Sequence, residues 1–431
     1  MNNQRSPLIF IFLSVFIDLL GVGIVLPLLP FYVKIIEETG APWMVANYAL
    51  IVGALTASYA FFQFLFAPIL GTLSDRYGRR PILLLSLVGA GFSYILFGLA
   101  DQFTAFGAAT VLAVLFGSRI FAGITGGSIS TAQAYIADVT TPETRAKGMG
   151  MLGAAFGLGF MLGPAIGGML STISLGAPAF VAATLAFGNA IFGYFKLPES
   201  LPAERRSARI GSLNPFRRLG SVVSRRDIRP LLLGVMMLNL AFAGLQSNFA
   251  VFTSTRFNYG PSDIAFLFAF IGLIAVVMQG VLIRRLVPRF GEARLALTGL
   301  TLMTSAFIVI AFIPEAWMLY PAVGLLVTGS SMATPSLTSL ISRSVGPSEQ
   351  GSVLGGTQAL SSLTMVIGPI TAGLLFDTVG QSAPYITGAI LIASALAVLF
   401  VALRPKKATT QPQPAQRLTL RAPVQFEASG D

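Results

Sequence analysis

Two stretches of this sequence share one pattern: residues 142–170 read PETRAKGMGMLGAAFGLGFMLGPAIGGML, and residues 347–375 read PSEQGSVLGGTQALSSLTMVIGPITAGLL. Aligned without gaps at an offset of 205, they agree at eight of 29 positions, including Gly163-Pro164 against Gly368-Pro369. Both stretches lose their charged residues after the first few positions. The pattern therefore indicates a duplicated apolar helical unit, and the composition of the whole chain indicates the environment that this unit occupies.

That environment is a membrane. Of 431 residues, 54% are hydrophobic and only 10% are charged, whereas typical soluble domains carry about 25% charged residues. The chain has no Cys and no His, which excludes disulfides, thiolate nucleophiles, iron–sulfur clusters and the usual zinc and haem ligands. We therefore expect no cofactor, no metal site and no enzymatic activity.

Long apolar stretches predict the spans. A helix needs roughly 20 apolar residues to cross a bilayer core of about 30 Å, because lipid offers the backbone no hydrogen-bonding partner. The first stretch exceeds the length of a signal-peptide core and lacks a small-residue cleavage site, so we expect it to be retained. Twelve transmembrane helices are predicted at residues 8–30, 45–70, 81–100, 104–126, 149–170, 178–195, 230–253, 263–283, 295–313, 317–340, 352–376 and 384–403.

The charged residues predict the orientation of these helices. If the first helix enters from the cytoplasm, 25 of the 28 basic residues lie on the cytoplasmic side, Lys34 and Arg256 lie outside, and Arg119 lies within a span. This distribution follows the positive-inside rule and predicts a multi-pass protein of the cell (inner) membrane with both termini in the cytoplasm. The net charge of +11 is thus explained by topology. The sequence has no basic stripe with interleaved aromatic residues, so we expect no nucleic-acid partner.

One long polar segment divides the spans six and six. Residues 196–229 contain nine basic and three acidic residues and three prolines, which disfavour a continuous helix. The final 28 residues are polar with little apolar periodicity. We predict an N-terminal six-helix bundle at 1–195, a basic cytoplasmic linker at 196–229, a C-terminal six-helix bundle at 230–403 and a disordered cytoplasmic tail at 404–431.

Four motifs occur in order along the first half. They are Asp18-x-x-Gly21-x-Gly23-Ile24-x-x-Pro27-x-x-Pro30, Gly71-x-Leu73-x-Asp75-Arg76-x-Gly78-Arg79-Arg80, Arg119-x-x-x-Gly123-Ile124-Thr125-Gly126-Gly127 followed by Ala134-Tyr135-Ile136-Ala137-Asp138, and Gly159-x-x-x-Gly163-Pro164-x-x-Gly167-Gly168. Together they resemble the major facilitator superfamily, and within it the drug/proton antiporters close to the tetracycline efflux proteins. The resemblance covers about residues 1–403 and is stronger in the first half.

This resemblance implies an all-α membrane protein whose twelve transmembrane helices form two pseudo-symmetric six-helix bundles, the major facilitator fold. It further implies a monomer that exports a lipophilic small molecule in exchange for protons by alternating access. Three positions depart from the tetracycline group: Ala275 stands where a His is expected, and Ser93 and Met303 stand where acids are expected. The alternatives are a proton symporter or uniporter for a sugar, organic anion or metabolite and, from other classes, a channel or a membrane-embedded enzyme.

Two charged residues lie at membrane depth. Asp18 is near the middle of the first span, where an ionised carboxylate costs about 2.5–3.5 kcal/mol on insertion scales. We expect it to exchange protons when cavity water and substrate alternate. Arg119 keeps its charge in proteins and must meet an acid, carbonyl groups or water, and Asp18 is the candidate acid. We predict that Asp18 and Arg119 couple proton and substrate, and the alternative is a structural bridge between helices.

The segment from Gly71 to Arg80 is predicted to be a cytoplasmic loop in which Gly71 and Gly78 permit tight turns. It lacks the Lys-Ser/Thr ending of a phosphate-binding loop. The resemblance implies that Asp75 reaches the N-terminus of helix eleven, near Ser352, when the inner side is shut. It also implies that three basic residues hold neighbouring helix ends, and the alternative is ordinary positive-inside charge. These three are Arg76, Arg79 and Arg80.

Small and polar residues complete the prediction. In the fifth helix, glycines at four-residue spacing leave one face bare for close helix packing, and Pro164 invites a kink; the face comprises Gly159, Gly163 and Gly167, with Gly168 beside it. Four amides on predicted cavity-facing helices are candidates for hydrogen bonding to substrate in a largely apolar pocket, although each could equally bond a neighbouring helix. They are Gln246, Asn248, Gln279 and Gln358.

Overall fold

The computed structural model describes residues 5–206, 220, 224–225, 227–346 and 349–403. Most of the predicted linker and the whole of the predicted tail at 404–431 lie outside the described residues. The described chain contains helices and no strand.

Six long helices form each half. In the first half they are α1 Leu8–Ile36, α2 Tyr48–Tyr77, α3 Arg79–Gly98, α4 Ala108–Val139, α5 Pro142–Ser171 and α6 Ala177–Lys196. In the second half they are α7 Arg229–Phe257, α8 Pro261–Phe290, α9 Glu292–Phe312, α10 Ala316–Arg343, α11 Gln350–Thr378 and α12 Ala383–Ala402. Short helical elements lie between some of them, at Pro42–Ala46, Ala100–Phe106 and Ala203–Arg205.

The helices have the length and apolarity that a bilayer requires. Eleven spans of at least 18 residues are apolar enough to cross it within the described chain, and the apolar Gly157–Ser171 part of α5 lies where the remaining predicted span was expected. Because backbone amides in lipid must bond within their own helix, this arrangement follows directly from the composition.

Two of the helices in the first half are interrupted. A short 3-10 turn at Leu26–Leu28 breaks α1, where Pro27 cannot donate a backbone hydrogen bond. The fourth helix stops at Thr125 and resumes at Ser128, because Gly126 and Gly127 leave the helical path. The amide of Gln63 donates to the carbonyl of Gly126 at 3.2 Å and so satisfies one backbone group that the break exposes.

The two bundles meet towards one face of the membrane. We call the face at which α1 begins and α12 ends the near face, and the opposite face the far face. Towards the far face, a Cβ atom built on Gly53 of α2 would lie 2.9 Å from the carbonyl carbon of Pro369 of α11. A Cβ atom built on Gly373 of α11 would lie 2.7 Å from the Cα atom of Leu50. Only glycine permits this close approach of two helix backbones.

The α5 and α8 helices meet in the same way. A Cβ atom built on Gly168 of α5 would lie 2.7 Å from the carbonyl oxygen of Pro261 of α8. Towards the near face, glycines of α2, α5, α8 and α11 have no atom of the described residues that an added Cβ would meet within 4 Å. These glycines are Gly71, Gly157, Gly280 and Gly355. The bundles are therefore closed at the far face and diverge towards the near face.

Candidate functional site

A small polar cavity lies inside the first bundle. Its volume is about 10 Å³, which is room for roughly one water molecule. It is bounded by residues of α1, α2, α3 and α4, and both membrane-depth charges are among them. The lining residues are Asp18, Val22, Tyr59, Ser86, Ala90, Tyr94, Arg119, Ala122, Thr125 and Gly126.

The carboxylate of Asp18 is held by the break in α4. The hydroxyl of Ser128, the first residue after the break, donates to Oδ2 of Asp18 at 2.6 Å. The hydroxyl of Tyr94 lies 3.4 Å from the backbone carbonyl oxygen of Asp18. The break in α4 therefore places a hydroxyl donor against the carboxylate of Asp18. Asp18 is partly exposed as a residue, and it lines the water-sized cavity.

Arg119 lines the same cavity but is not paired with Asp18. Its side chain is 5% exposed, its guanidinium lies 4.8 Å above the centre of the Phe97 ring, and Nε is 3.4 Å from the hydroxyl of Ser118. Among the described residues no salt bridge of Arg119 is found, and its Nη2 atom is buried without a hydrogen-bond partner. The structure thus places the two charges around one cavity but does not show the ion pair that the sequence suggested.

The glycine face of α5 positions α1 at this cavity. A Cβ atom built on Gly159 would lie 2.7 Å from the Cβ of Leu19, and one built on Gly163 would lie 2.7 Å from the carbonyl oxygen of Leu20. Gly167 is less crowded, with the nearest atom at 3.2 Å. The residues that follow Asp18 therefore rest directly on the bare face of α5, while Pro164 lies within that helix.

A cluster of charges lies at the near-face end of the first bundle. The guanidinium of Arg79, which is 8% exposed, is 2.5 Å from Asp75, 3.1 Å from Asp138 and 2.7 Å from the hydroxyl of Ser74. Asp75 is half-exposed and pairs only within its own bundle in the described chain. The side chain of Ser352, the expected neighbour of Asp75 in another conformation, lies outside the described side chains.

The start of α3 is capped from the linker. The carboxylate of Glu199 accepts hydrogen bonds from the backbone amides of Arg79 at 2.8 Å and Arg80 at 3.2 Å. The side chain of Arg80 donates to the carbonyl of Tyr194, and Arg76 lies 5.4 Å from the centre of the Tyr77 ring.

The predicted loop from Gly71 to Arg80 is shorter than expected. Gly71 lies inside α2, which continues to Tyr77, so its predicted role in a turn is wrong. Gly78 is the turn between α2 and α3: its φ is +107°, and a Cβ there would lie 2.7 Å from the carboxyl carbon of Glu199.

The four candidate substrate amides lie in different surroundings. Asn248 is 2% exposed and its Oδ1 atom has no hydrogen-bond partner, whereas Gln246 is half-buried. Gln279 and Gln358 are exposed. The described cavity contains none of the four, so their role in binding stays a prediction.

Sequence reasoning did not find several residues of the site. Ser128 and Tyr94 are ordinary residues for a membrane helix. Asp138 is the last residue of the fourth-helix motif, but the motif predicted no partner for its carboxylate. Glu199 is one of three acids in a linker whose basic charge dominates. The two acids expected from the tetracycline group are replaced by side chains that carry no charge: the hydroxyl of Ser93 donates to the carbonyl of Ser118 at 2.9 Å, and Met303 is fully buried.

Comparison with known proteins supports the predicted family. The sequence profile described as Major Facilitator Superfamily matches residues 11–361 and 280–427. The chain is 34% identical over 373 residues to the tetracycline resistance protein, class C, of Escherichia coli, which covers 86% of this chain and 90% of the relative. It is 30% identical over 390 residues to multidrug resistance protein 2 of Bacillus subtilis (strain 168), and this alignment covers 88% of this chain and 90% of the relative.

A solved structure supports the fold. The crystal structure of the human organic anion transporter MFSD10 (TETRAN) matches with a TM-score of 0.70 and 27% sequence identity, covering 93% of this chain and 100% of that one. The predicted fold class is confirmed.

Proposed function

The chain belongs to the Major Facilitator Superfamily, whose members are membrane transporters, and on that premise we propose that it exports a lipophilic small molecule across the cell membrane in exchange for protons. The observation that carries this proposal is Asp18, a carboxylate at membrane depth that lines a water-sized cavity and accepts a hydrogen bond from Ser128. The relatives named tetracycline and multidrug resistance proteins support export of drug-like molecules. In this proposal the near face is cytoplasmic and both termini lie there, in accord with the basic residues.

Asp18 takes up a proton while the far face is open and releases it towards the near face. The membrane potential contributes about 2.3 kcal/mol per charge per 100 mV to inward proton movement. Arg119 stabilises the deprotonated carboxylate across the cavity, because opposite charges attract strongly in a low-dielectric interior. The substrate enters the gap between the bundles, where exposed Gln279 and Gln358, together with Gln246 and Asn248, offer amide hydrogen bonds.

The test is transport by the purified protein in liposomes. A pH gradient is imposed and a chemically diverse panel of lipophilic compounds is added one compound at a time. A transported compound should dissipate the gradient in protein-containing liposomes but not in empty ones. If a positive compound and the proton move in opposite directions, antiport is established. A panel with no active compound while a sugar or metabolite is transported downhill would contradict the proposal.

Transport of an organic anion is the second candidate function. Arg119 lines the cavity without a salt bridge in the described chain, so it offers an unneutralised guanidinium to a carboxylate, and the human relative is named an organic anion transporter. A bound anion repels the negative charge of an ionised Asp18, so its binding favours the protonated carboxyl group. The anion and the proton therefore bind together. This function therefore predicts movement of substrate and proton in the same direction, and the same liposome assay separates the two.

We propose that the near-face cluster stabilises the state in which the near face is closed. When Asp75 leaves Arg79, the guanidinium of Arg79 still has Asp138 as a partner. The half-exposed carboxylate of Asp75 then meets the start of α11, where the helix dipole favours a negative charge. Gly78, Arg76 and Arg80 then fix the neighbouring helix ends.

Replacing Asp75 tests this switch. Asp75→Ala should raise the ratio of molecules open at the near face to molecules closed there about threefold, since a helix-terminus charge is typically worth about 0.3–1 kcal/mol. Accessibility of single cysteines introduced into the gap, in a chain that has none of its own, would measure this ratio. Asp227→Ala, which changes an exposed acid that pairs with Arg225 in the linker, is the control. Equal accessibility in both variants would contradict the switch.

Ser128 should position the proton-carrying group. We expect Ser128→Ala to reduce proton-coupled transport about tenfold, because hydrogen bonds to charged groups contribute about 1.5–3 kcal/mol. Ser128→Thr should restore transport and its pH dependence, because the hydroxyl is retained. Ser130→Ala is the matched control, since within the described part of the chain the hydroxyl of Ser130 donates to the carbonyl of Gly127 of its own helix at 3.1 Å and to no other group. Unchanged transport and an unchanged pH profile in Ser128→Ala would refute this role.

A further inference from the structure

The first turn of α2 is capped from the opposite bundle. The first four amides of a helix have no acceptor within it and need a partner from elsewhere. In α2 the carboxylate of Asp377 is the acceptor for two of these amides: Oδ1 accepts from the amide of Ala49 at 3.1 Å, and Oδ2 accepts from the amide of Leu50 at 2.7 Å. Asp377 lies at the end of α11, so these two hydrogen bonds join the bundles across more than 300 residues of chain.

The local residue does not compete for this position. Asn47 immediately precedes α2, and Asn is among the preferred residues for capping a helix start. Its side chain makes no capping hydrogen bond and instead donates to the carbonyl of Trp43 at 2.7 Å. The amides of Ala49 and Leu50 are thus left to a carboxylate that can reach them only while the bundles touch.

The surrounding backbone confirms how close that contact is. Gly373, four residues before Asp377 and one helical turn away, packs tightly on the backbone of α2: a Cβ there would lie 2.7 Å from the carbonyl carbon of Ala49 and 2.7 Å from the Cα of Leu50. Separation of α2 from α11 at the far face would therefore break both hydrogen bonds and leave two amides and a carboxylate without their partners.

We propose that Asp377 is a far-face latch, which stabilises the conformation closed at the far face by capping α2 from the other bundle. The inference rests on the alternating access in the proposed function, but on neither proton coupling nor the identity of the substrate. It also assigns a part to an acid that the known motifs of the first half do not include. In the opposite conformation the latch is open, and the closing of the near face must compensate for its loss.

The experiment measures the conformation itself. Because the chain has no native cysteine, spin labels attach only at introduced ones. The exposed pair Val45→Cys and Val379→Cys reports the far face, and the exposed pair Tyr77→Cys and Phe290→Cys reports the near face. Distances between the labels are measured in reconstituted full-length protein at one pH, with no substrate.

In Asp377→Ala we expect the far-face distances to lengthen in a new population and the near-face distances to shorten. The ratio of far-open to far-closed molecules should rise at least about tenfold, as expected for loss of charge-assisted hydrogen bonds. Asp377→Asn keeps the side-chain volume and should show a smaller change in the same direction, which guards against a defect in folding.

Asp263 provides the matched control. It is also an aspartate at the far-face end of a helix, and its Oδ2 accepts from the amide of Gly260 at 2.9 Å, but this bond lies within one bundle. Asp263→Ala should leave both distance distributions unchanged. Unaltered distances in both Asp377 variants, or an equal change in Asp263→Ala, would overturn the latch. Because no transport is measured, failure of the liposome assay would leave this result standing, and failure here would leave the transport result standing.

Discussion

Asp18→Asn should reduce proton-driven transport by at least about a hundredfold, the lower end of what a positioned proton-transfer group contributes. The amide matches the carboxyl in size, and its oxygen can still accept the hydrogen bond from Ser128, so the packing around the cavity is preserved. What the variant loses is the ability to bind and release a proton. Downhill movement of the substrate without a pH gradient should therefore persist while coupling disappears.

The measurement is proton movement triggered by substrate in liposomes, beside binding of the same substrate to the purified variant. Asp101→Asn is the control, because Asp101 lies between α3 and α4, outside the spans and outside the cavity, where partial burial raises the pKa of its carboxyl. That variant should transport normally. If Asp18→Asn retained full proton-coupled transport, Asp18 would not be the proton site and the antiport mechanism would have to be abandoned.

The spans, the duplication and the family were predictable because they depend on local properties. Lipid forces each crossing segment to be a long apolar helix, so runs such as Pro230–Thr255 predict their own structure. The glycine face around Gly163 was predictable for the same reason, since four-residue spacing alone defines one side of a helix. In each case the physical cause acts within a single stretch of about 20 residues.

The partners of the charged groups were not predictable in this way. Asp18 and Ser128 are 110 residues apart, Arg79 and Glu199 are 120 apart, and Asp377 is 327 from Leu50. Whether such groups meet depends on how whole helices pack and on which face of the protein is closed. For Asp18 and Arg119 the sequence indicated two residues that line one cavity, but no residue pattern specifies whether the two charged groups come close enough to pair.

Gly163→Ala should be the most damaging small substitution in the glycine face of α5. The added Cβ would lie 2.7 Å from the carbonyl oxygen of Leu20 and 2.8 Å from the Cα of Gly23. Both neighbours are backbone atoms of α1, so the strain can be relieved only by moving the helix. Overpacking of this kind costs about 1–3 kcal/mol, and the movement would displace the turn of α1 that follows Asp18.

The same helix provides a graded series of controls. Gly167→Ala should cost less, because the nearest neighbour of its added Cβ would lie at 3.2 Å. Gly157→Ala should be tolerated, because no atom of the described residues lies within 4 Å of the Cβ position. Thermal unfolding in detergent should therefore rank the variants Gly157, Gly167 and Gly163 in order of increasing destabilisation, and transport should fall in the same order. If Gly163→Ala were as stable and active as Gly157→Ala, the close approach of α1 and α5 would have no part in holding Asp18. The glycines would then act only through their lower helix propensity, which predicts equal effects at all three positions because alanine is the better helix former at each.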